Sequence, residues 1–211
     1  MVEEILAIAI DVMADDGVAG LSLSEVARRL GIKPPSLYKY FPSRLALYDR
    51  LFADGQQRYL EVFRGGAAGA DPGLPALIAA VEAGGRWAMD NQALTQLLFW
   101  RPIPGFEPSA EAFAPSVAML DEVRRMLADA ARLGQLGPGA AAEEGVALFS
   151  ILVAGMFSQQ LANGPHESFA DGRFTRLAPQ IFAMFRQHYP PTEGSDDRRH
   201  PHRAAQPSPS R

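Results

Sequence analysis

Residues 33–44 read KPPSLYKYFPSR, from Lys33 to Arg44, and put three prolines, two tyrosines and three cationic side chains into twelve positions. Proline is tolerated in the first turn of a helix, where the N–H groups have no intrahelical partner and a fixed φ already suits the helix. Pro34 and Pro35 therefore start a helix, although Lys33 is a poor N-cap. With Leu37 as the buried direction and a step of about 100° per residue, Phe41 returns to the same face. Pro35 and Lys39 point away from it, Ser36 and Tyr38 lie to either side, and Tyr40 sits near the inner border. The expected outer ridge is Pro35, Ser36 and Lys39, flanked by phenolic hydroxyls. In a major groove such a ridge meets base edges while the tyrosines reach phosphates on the walls. Pro42 ends the helix and Ser43 is positioned to cap the next one. Arg44 falls in its first turn, where backbone N–H groups and a guanidinium together hold a phosphate.

Working outward, Ile5, Ala9, Val12 and Met13 repeat at helical spacing and Gly17 follows the last turn. Ser22-Leu23-Ser24-Glu25 fits a capping box ahead of the apolar stripe Val26, Ala27 and Leu30. Gly31 breaks this second helix, and Ile32 tucks inward before the prolines. A short helix, a glycine-containing turn and a second short helix form the helix-turn-helix arrangement. A fourth helix is expected from about Arg44 to Arg64, long enough to leave the first domain and enter a second.

The formal net charge of −4 hides an asymmetry: Arg28, Arg29, Lys33, Lys39, Arg44 and Arg50 face a single acid, Asp49, between residues 28 and 50. That local +5 leaves −9 on the remainder. A basic patch on an acidic body suits a polyanion, because a phosphate backbone rewards clustered cations through counterion release. The chain has 211 residues, 47% of them hydrophobic, and no cysteine, so it can bury a real core and has neither disulfides nor thiolate chemistry. MVEEILAIAI carries acids where a signal peptide has its positive region, so export is not expected. The apolar run Gly145–Phe157 is shorter than the roughly 20 residues of a bilayer span and reads as a buried helix, with no membrane partner.

From helix one to helix four, ILAIAIDVMADDGVAGLSLSEVARRLGIKPPSLYKYFPSRLALYDRL resembles the N-terminal domain of the TetR family of transcriptional regulators over about residues 3–51. The shared points are the glycine after helix one, the hydroxyl before helix two, the Val-Ala pair, Leu-Gly-Ile and the Leu-Tyr-x-x-Phe-x-Ser-Arg run. The resemblance implies an all-α protein: an N-terminal three-helix helix-turn-helix domain joined by a long helix to a larger C-terminal helical domain. It implies a cytoplasmic homodimer on a near-palindromic double-stranded DNA operator, released by a small-molecule effector, in the manner of a repressor. By this resemblance Ser22, Tyr38, Tyr40 and Arg44 are phosphate contacts and Pro35, Ser36 and Lys39 face bases. Lys33, also assigned to the DNA-binding set, stands where the family usually has serine or threonine, and Glu3-Glu4 replace an often basic arm.

The expected domains are 1–50 for DNA binding, 51–189 for ligand binding and dimerisation, and a disordered Pro-, Arg- and Ser-rich tail at 190–211. Gly/Pro-rich breaks at 65–73, 101–109, 134–139 and 163–166 separate apolar helical segments. Segments 140–162 and 171–188 are expected to pair across a two-fold axis. They would do so through Ala147, Ile151, Ala154, Gly155, Phe174, Leu177, Ile181 and Phe185. Walls for a mostly apolar effector are expected from Trp87, Leu94, Leu98, Phe99, Phe106, Phe113 and Phe149, with Arg86, Asn91 and Gln96 as polar anchors. Two other classes compete with a ligand-responsive regulator. A non-specific architectural DNA binder would bind random and operator DNA equally. An enzyme is disfavoured, because the glycine-rich 137–142 run follows no strand and no phosphate-loop, nucleophile-elbow or zinc-protease motif occurs. No cofactor is expected, and His200 and His202 fall in the tail.

Overall fold

The computed structural model describes residues 1–191, and within them every regular element is helical. The helices are α1 (Val2–Asp16), α2 (Leu23–Arg29), α3 (Pro34–Leu37), α4 (Arg44–Ala67), α5 (Leu74–Asp90), α6 (Gln92–Trp100), α7 (Ala110–Arg132), α8 (Glu143–Asn163) and α9 (Ala178–His188). Short 3₁₀ turns at Val18–Gly20, Pro138–Ala141 and Thr175–Leu177 connect them. The expected tail, with His200 and His202, lies outside the described residues from position 192 onward.

α1 buries Ile5, Leu6, Ala9, Val12 and Met13, as its spacing requires, and the chain turns at Gly17 with φ +79°. Ser22 caps α2 by accepting from the Glu25 N–H at 3.1 Å. The reciprocal half of the expected capping box does not form, because the Glu25 carboxylate accepts from Arg28 and Arg29 instead. Two guanidiniums offer it charge-assisted bonds that a single backbone N–H cannot match. Gly31 makes the turn with φ +69°, a left-handed conformation that side chains with a Cβ avoid. Pro34 and Pro35 do start α3, but the α-helix proper is one turn long. Residues 38–40 continue as a turn, with Tyr40 N–H and Phe41 N–H both donating to the Leu37 carbonyl.

α4 outruns its expected end at Arg64 by three residues, and the boundary expected near residue 50 lies inside it. It packs along α5 and α7. The α4–α5 approach depends on Gly66, where a Cβ would stand 2.5 Å from that of Ala83 and 2.8 Å from the Ala79 carbonyl oxygen. The apolar core is continuous from Ile5 to Phe185. Phe106, in the loop after α6, packs on Tyr48 and Phe52 and so joins the N-terminal helices to the rest. Asp49 adds a polar tie, accepting from both the N–H (2.7 Å) and the hydroxyl (2.8 Å) of Ser109, the residue that caps α7.

Two expectations for the last helices need correction. α9 begins at Ala178 rather than 171, because residues 164–177 form an irregular segment organised by the buried Gln160 side chain. That amide donates to the Gly164 carbonyl and the Glu167 carboxylate and accepts from the Phe174 N–H. α8 is not the fully buried helix its composition implied. It spans 21 residues and contains an 18-residue stretch with a mean hydropathy of 1.5, long and apolar enough by those measures alone to cross a bilayer, yet only 39% of that stretch is buried. Its inner side, with Val146, Phe149, Met156, Phe157 and Leu161, packs in the core against the phenylalanines of α9.

Candidate nucleic-acid interface and ligand cavity

Leu37 is 0% exposed and Phe41 is buried, so the stretch from Pro34 to Phe41 is pinned from beneath and its other side faces outward. Tyr38 is 53% and Tyr40 44% exposed, large values for aromatic side chains so close to a core. Lys33, Pro35 and Lys39 are exposed beside them and Ser36 is half-buried. The sequence-derived ridge is thus present, carried partly on a turn. Ser22 lies at the start of α2 and Arg44 in the first turn of α4, where Ser43 accepts from the Ala46 N–H at 3.1 Å. The Arg44 guanidinium lies 6.0 Å from the centre of the Tyr48 ring. The Tyr48 hydroxyl donates to the Val18 carbonyl, tying the turn between α1 and α2 to α4, and burial pushes its pKa up.

The electrostatics of this end differ from the residue count. Arg28 and Arg29 bind the Glu25 carboxylate, Arg29 also binds Asp15, and Arg50 pairs with Asp54. Hydrogen bonds from Arg28 first, then Arg29, hold the Glu25 carboxyl down to about 2. Half of the six cations are therefore locally compensated. Lys33, Lys39 and Arg44 make no ion pair among the described residues, and all three lie on or beside the ridge.

Between α4, α5, α6, α7 and α8 lies a cavity of about 280 Å³. Of the expected ligand residues, Leu98, Phe99, Phe113 and Phe149 line it. The others, Arg86 and Gln96 among them, lie elsewhere. Trp87 packs on the outer side of Tyr59, the Asn91 amide donates to the Trp87 carbonyl at the end of α5, and Leu94 is buried against Gly55. Phe106 belongs to the Tyr48–Phe52 cluster. Residues that the sequence reading did not assign to it also line the wall: Gln56, Tyr59 and Phe63 from α4, Val81 from α5, Arg101 after α6, Ser116, Met119, Leu120 and Val123 from α7, and Ser150, Val153, Ala154 and Phe157 from α8. Their signal was a polar pair, Gln56 and Tyr59, within the otherwise apolar inner stripe of α4.

Of the residues expected at a two-fold interface, Ile151 is 67% exposed, Ala147, Gly155 and Leu177 are exposed, and Ala154, Phe174 and Ile181 are half-buried. Phe185 points inward, stacked edge-on against Phe149, and cannot meet a partner in this conformation. Met184, next to it, is 63% exposed and takes its place on the outer face.

A one-turn helix entered through a glycine turn after a capped short helix, on an all-helical body, defines a helix-turn-helix protein. Residues 5–51 match the family model of bacterial regulatory proteins of the tetR family. Over these residues the chain carries a helix-turn-helix domain of the tetR type of DNA-binding transcriptional regulators. It is 33% identical over 96 residues to HTH-type transcriptional regulators of Mycobacterium tuberculosis and Mycobacterium bovis. The matched stretch is 44% of this chain and spans 41% of the length of those relatives. The fold extends beyond the matched domain. A Rhodococcus sp. RHA1 protein of unknown function superposes with a TM-score of 0.73 at 23% identity, covering 89% of this chain and 94% of that one. The Bacillus subtilis transcriptional regulator FadR in complex with stearoyl-CoA superposes with a TM-score of 0.68 at 12% identity, covering 87% and 96%.

Proposed function

We propose that the chain acts as a homodimer on a near-palindromic operator, represses transcription there, and is released by a small effector held in the α4–α8 cavity. The observation that carries the reading is the exposed Tyr38–Lys39–Tyr40 turn over buried Leu37 and Phe41, beside uncompensated Lys33 and Arg44. Lys39, Pro35 and Ser36 would face bases, while Ser22, Lys33, Tyr38, Tyr40 and Arg44 would hold phosphates. Residues 1–50 form the DNA-reading unit in this reading, and 51–189 the effector and dimer unit. The open apolar side of α8 and α9, with Ile151, Gly155, Leu177 and Met184, is the surface that a second copy would cover. FadR was crystallised with stearoyl-CoA, which supports effector binding in a fold of this type. A regulator of this kind works beside the chromosome in the cytoplasm, and we assign it no catalytic role.

Selecting bound fragments from a random double-stranded DNA pool tests this directly. The expected product is an inverted repeat with half-sites about one helical turn apart, bound by two chains in sedimentation equilibrium. Recovery of sequences without a shared motif would instead fit an architectural DNA binder.

A further inference from the structure

We infer that the α4–α8 cavity is built for a small, uncharged, mainly apolar molecule carrying a hydrogen-bonding oxygen such as a ketone, ester or lactone carbonyl, not for a long-chain anion. This rests on the proposal that the cavity is the effector site, and it adds the chemistry of the ligand. Four uncharged polar side chains, Gln56, Tyr59, Ser116 and Ser150, stand on a wall that is otherwise nearly all apolar, and the Ser150 hydroxyl already donates to the Val146 carbonyl. Gln56 is 7% exposed, Tyr59 is buried three positions further along the same face of α4, and Ser116 stands on α7. The Ser116 hydroxyl is buried without a hydrogen-bond partner. The side-chain hydrogen bonds of α4 are made by Tyr48, Asp49, Arg50 with Asp54, Gln57 with Glu61, and Arg64, and neither Gln56 nor Tyr59 takes part in one among the described residues.

Buried polar groups are nearly always paired, because an unpaired one forfeits its bonds to water. The orphaned Ser116 hydroxyl, with the Gln56 amide on the same cavity, leaves donors and acceptors for something that enters it. Burial alone acts on the Tyr59 hydroxyl and raises its pKa, so it stays protonated at neutral pH, a donor at the cavity's edge toward Gly84.

Charge and size then narrow the class. The one charged residue on the wall, Arg101, is exposed at the end of α6, in a left-handed conformation with φ +45°. No cation stands among the buried polar groups to offset a carboxylate, and burying an unpaired charge is far costlier than burying a neutral dipole. The cavity's roughly 280 Å³ falls just below the ~300–1,000 Å³ of ligand pockets, which suits a ring with a short chain.

Calorimetric titration of the full chain with four probes tests the assignment: butyrophenone, n-butylbenzene, 4-butylbenzoate and stearoyl-CoA. Butyrophenone should bind about tenfold tighter than n-butylbenzene, the worth of one or two net hydrogen bonds. 4-Butylbenzoate should bind no tighter than n-butylbenzene. Tyr59→Phe and Ser116→Ala should each cut the ketone preference to about threefold or less while leaving n-butylbenzene within twofold. Both variants should melt no lower than the parent when unliganded, since each removes an unpaired buried hydroxyl. Tightest binding by 4-butylbenzoate or stearoyl-CoA, lost in Arg101→Ala, would overturn the inference but leave the effector site standing. Binding by none of the four would overturn the inference and the effector site together, with DNA binding untouched. The expected binding order without release of a selected operator would uphold the ligand class and remove only its regulatory role.

Discussion

The first turn of α4 and its middle present polar side chains in opposite ways. Around Ser43 and Arg44 the polar groups are exposed, and the Arg44 charge is matched by no ion pair among the described residues. Around Gln56 and Tyr59 they are buried in an apolar wall with no protein partner. An exposed cation loses little by waiting in water for a phosphate, so a DNA-reading face can be assembled from surface residues at small cost to stability. A buried hydroxyl has no such reservoir and destabilises the unliganded fold. The contrast separates a surface whose charges stay hydrated until a partner arrives from a cavity where the Ser116 hydroxyl has no partner.

The largest effect that would sharpen this comparison is structural. Leu37→Ala removes the fully buried anchor under the ridge and should cost about 2–5 kcal/mol in urea unfolding. It should also abolish operator retention in a mobility-shift assay while n-butylbenzene still binds the cavity. Survival of operator binding would break the claim that the two regions answer to different residues. Next in size are two surface substitutions with different signatures. Lys39→Ala should lower discrimination at one base pair by about 1–3 kcal/mol. Arg44→Ala should weaken all DNA sequences alike and lower the slope of log K against log salt by about one. Identical behaviour of the two variants would erase the division between base and phosphate contacts.

The smallest effect concerns the compensated charges. Glu25→Gln removes the carboxylate shared by Arg28 and Arg29, so non-specific DNA affinity should rise modestly and its salt dependence steepen. The same variant has a pH signature. The Glu25 pKa is depressed in the folded chain from an ordinary 4.5 to about 2. Its contribution is therefore fully present above about pH 4.5 and is lost as pH falls toward 2. Acid unfolding of Glu25→Gln, followed by circular dichroism, should lack that increment, and coincident acid transitions for parent and variant would exclude it.

The helix-turn-helix end was legible because its determinants are local. Prolines at a helix start, a serine at an N-cap and a glycine at a positive-φ turn act within a few residues, so Leu37, Phe41, Tyr38 and Lys39 fall on their expected sides. What failed there was competition between partners: Glu25 had a backbone N–H and two guanidiniums to choose from, and spacing alone does not rank them. The cavity was half legible, because apolar residues at helical spacing mark a buried face without saying which helix crosses it. Phe99 and Trp87 look alike in sequence, yet the crossing of α4 puts Tyr59 between Trp87 and the cavity. The exchange of Phe185 for Met184 has a similar origin. An irregular loop held by Gln160 delays the start of α9, and side-chain directions there follow packing on Phe149.

α4 runs unbroken from the DNA-facing end to its tight crossing with α5 at Gly66. Its 24 residues make a rod of about 36 Å at ~1.5 Å per residue. A pivot of about 5° at the glycine end would swing Arg44 through roughly 3 Å, close to the ~3.4 Å rise between stacked base pairs. Under the proposed function, a ligand beside Tyr59 that tilted α4 by this angle would shift the reading head by about one rung of the duplex.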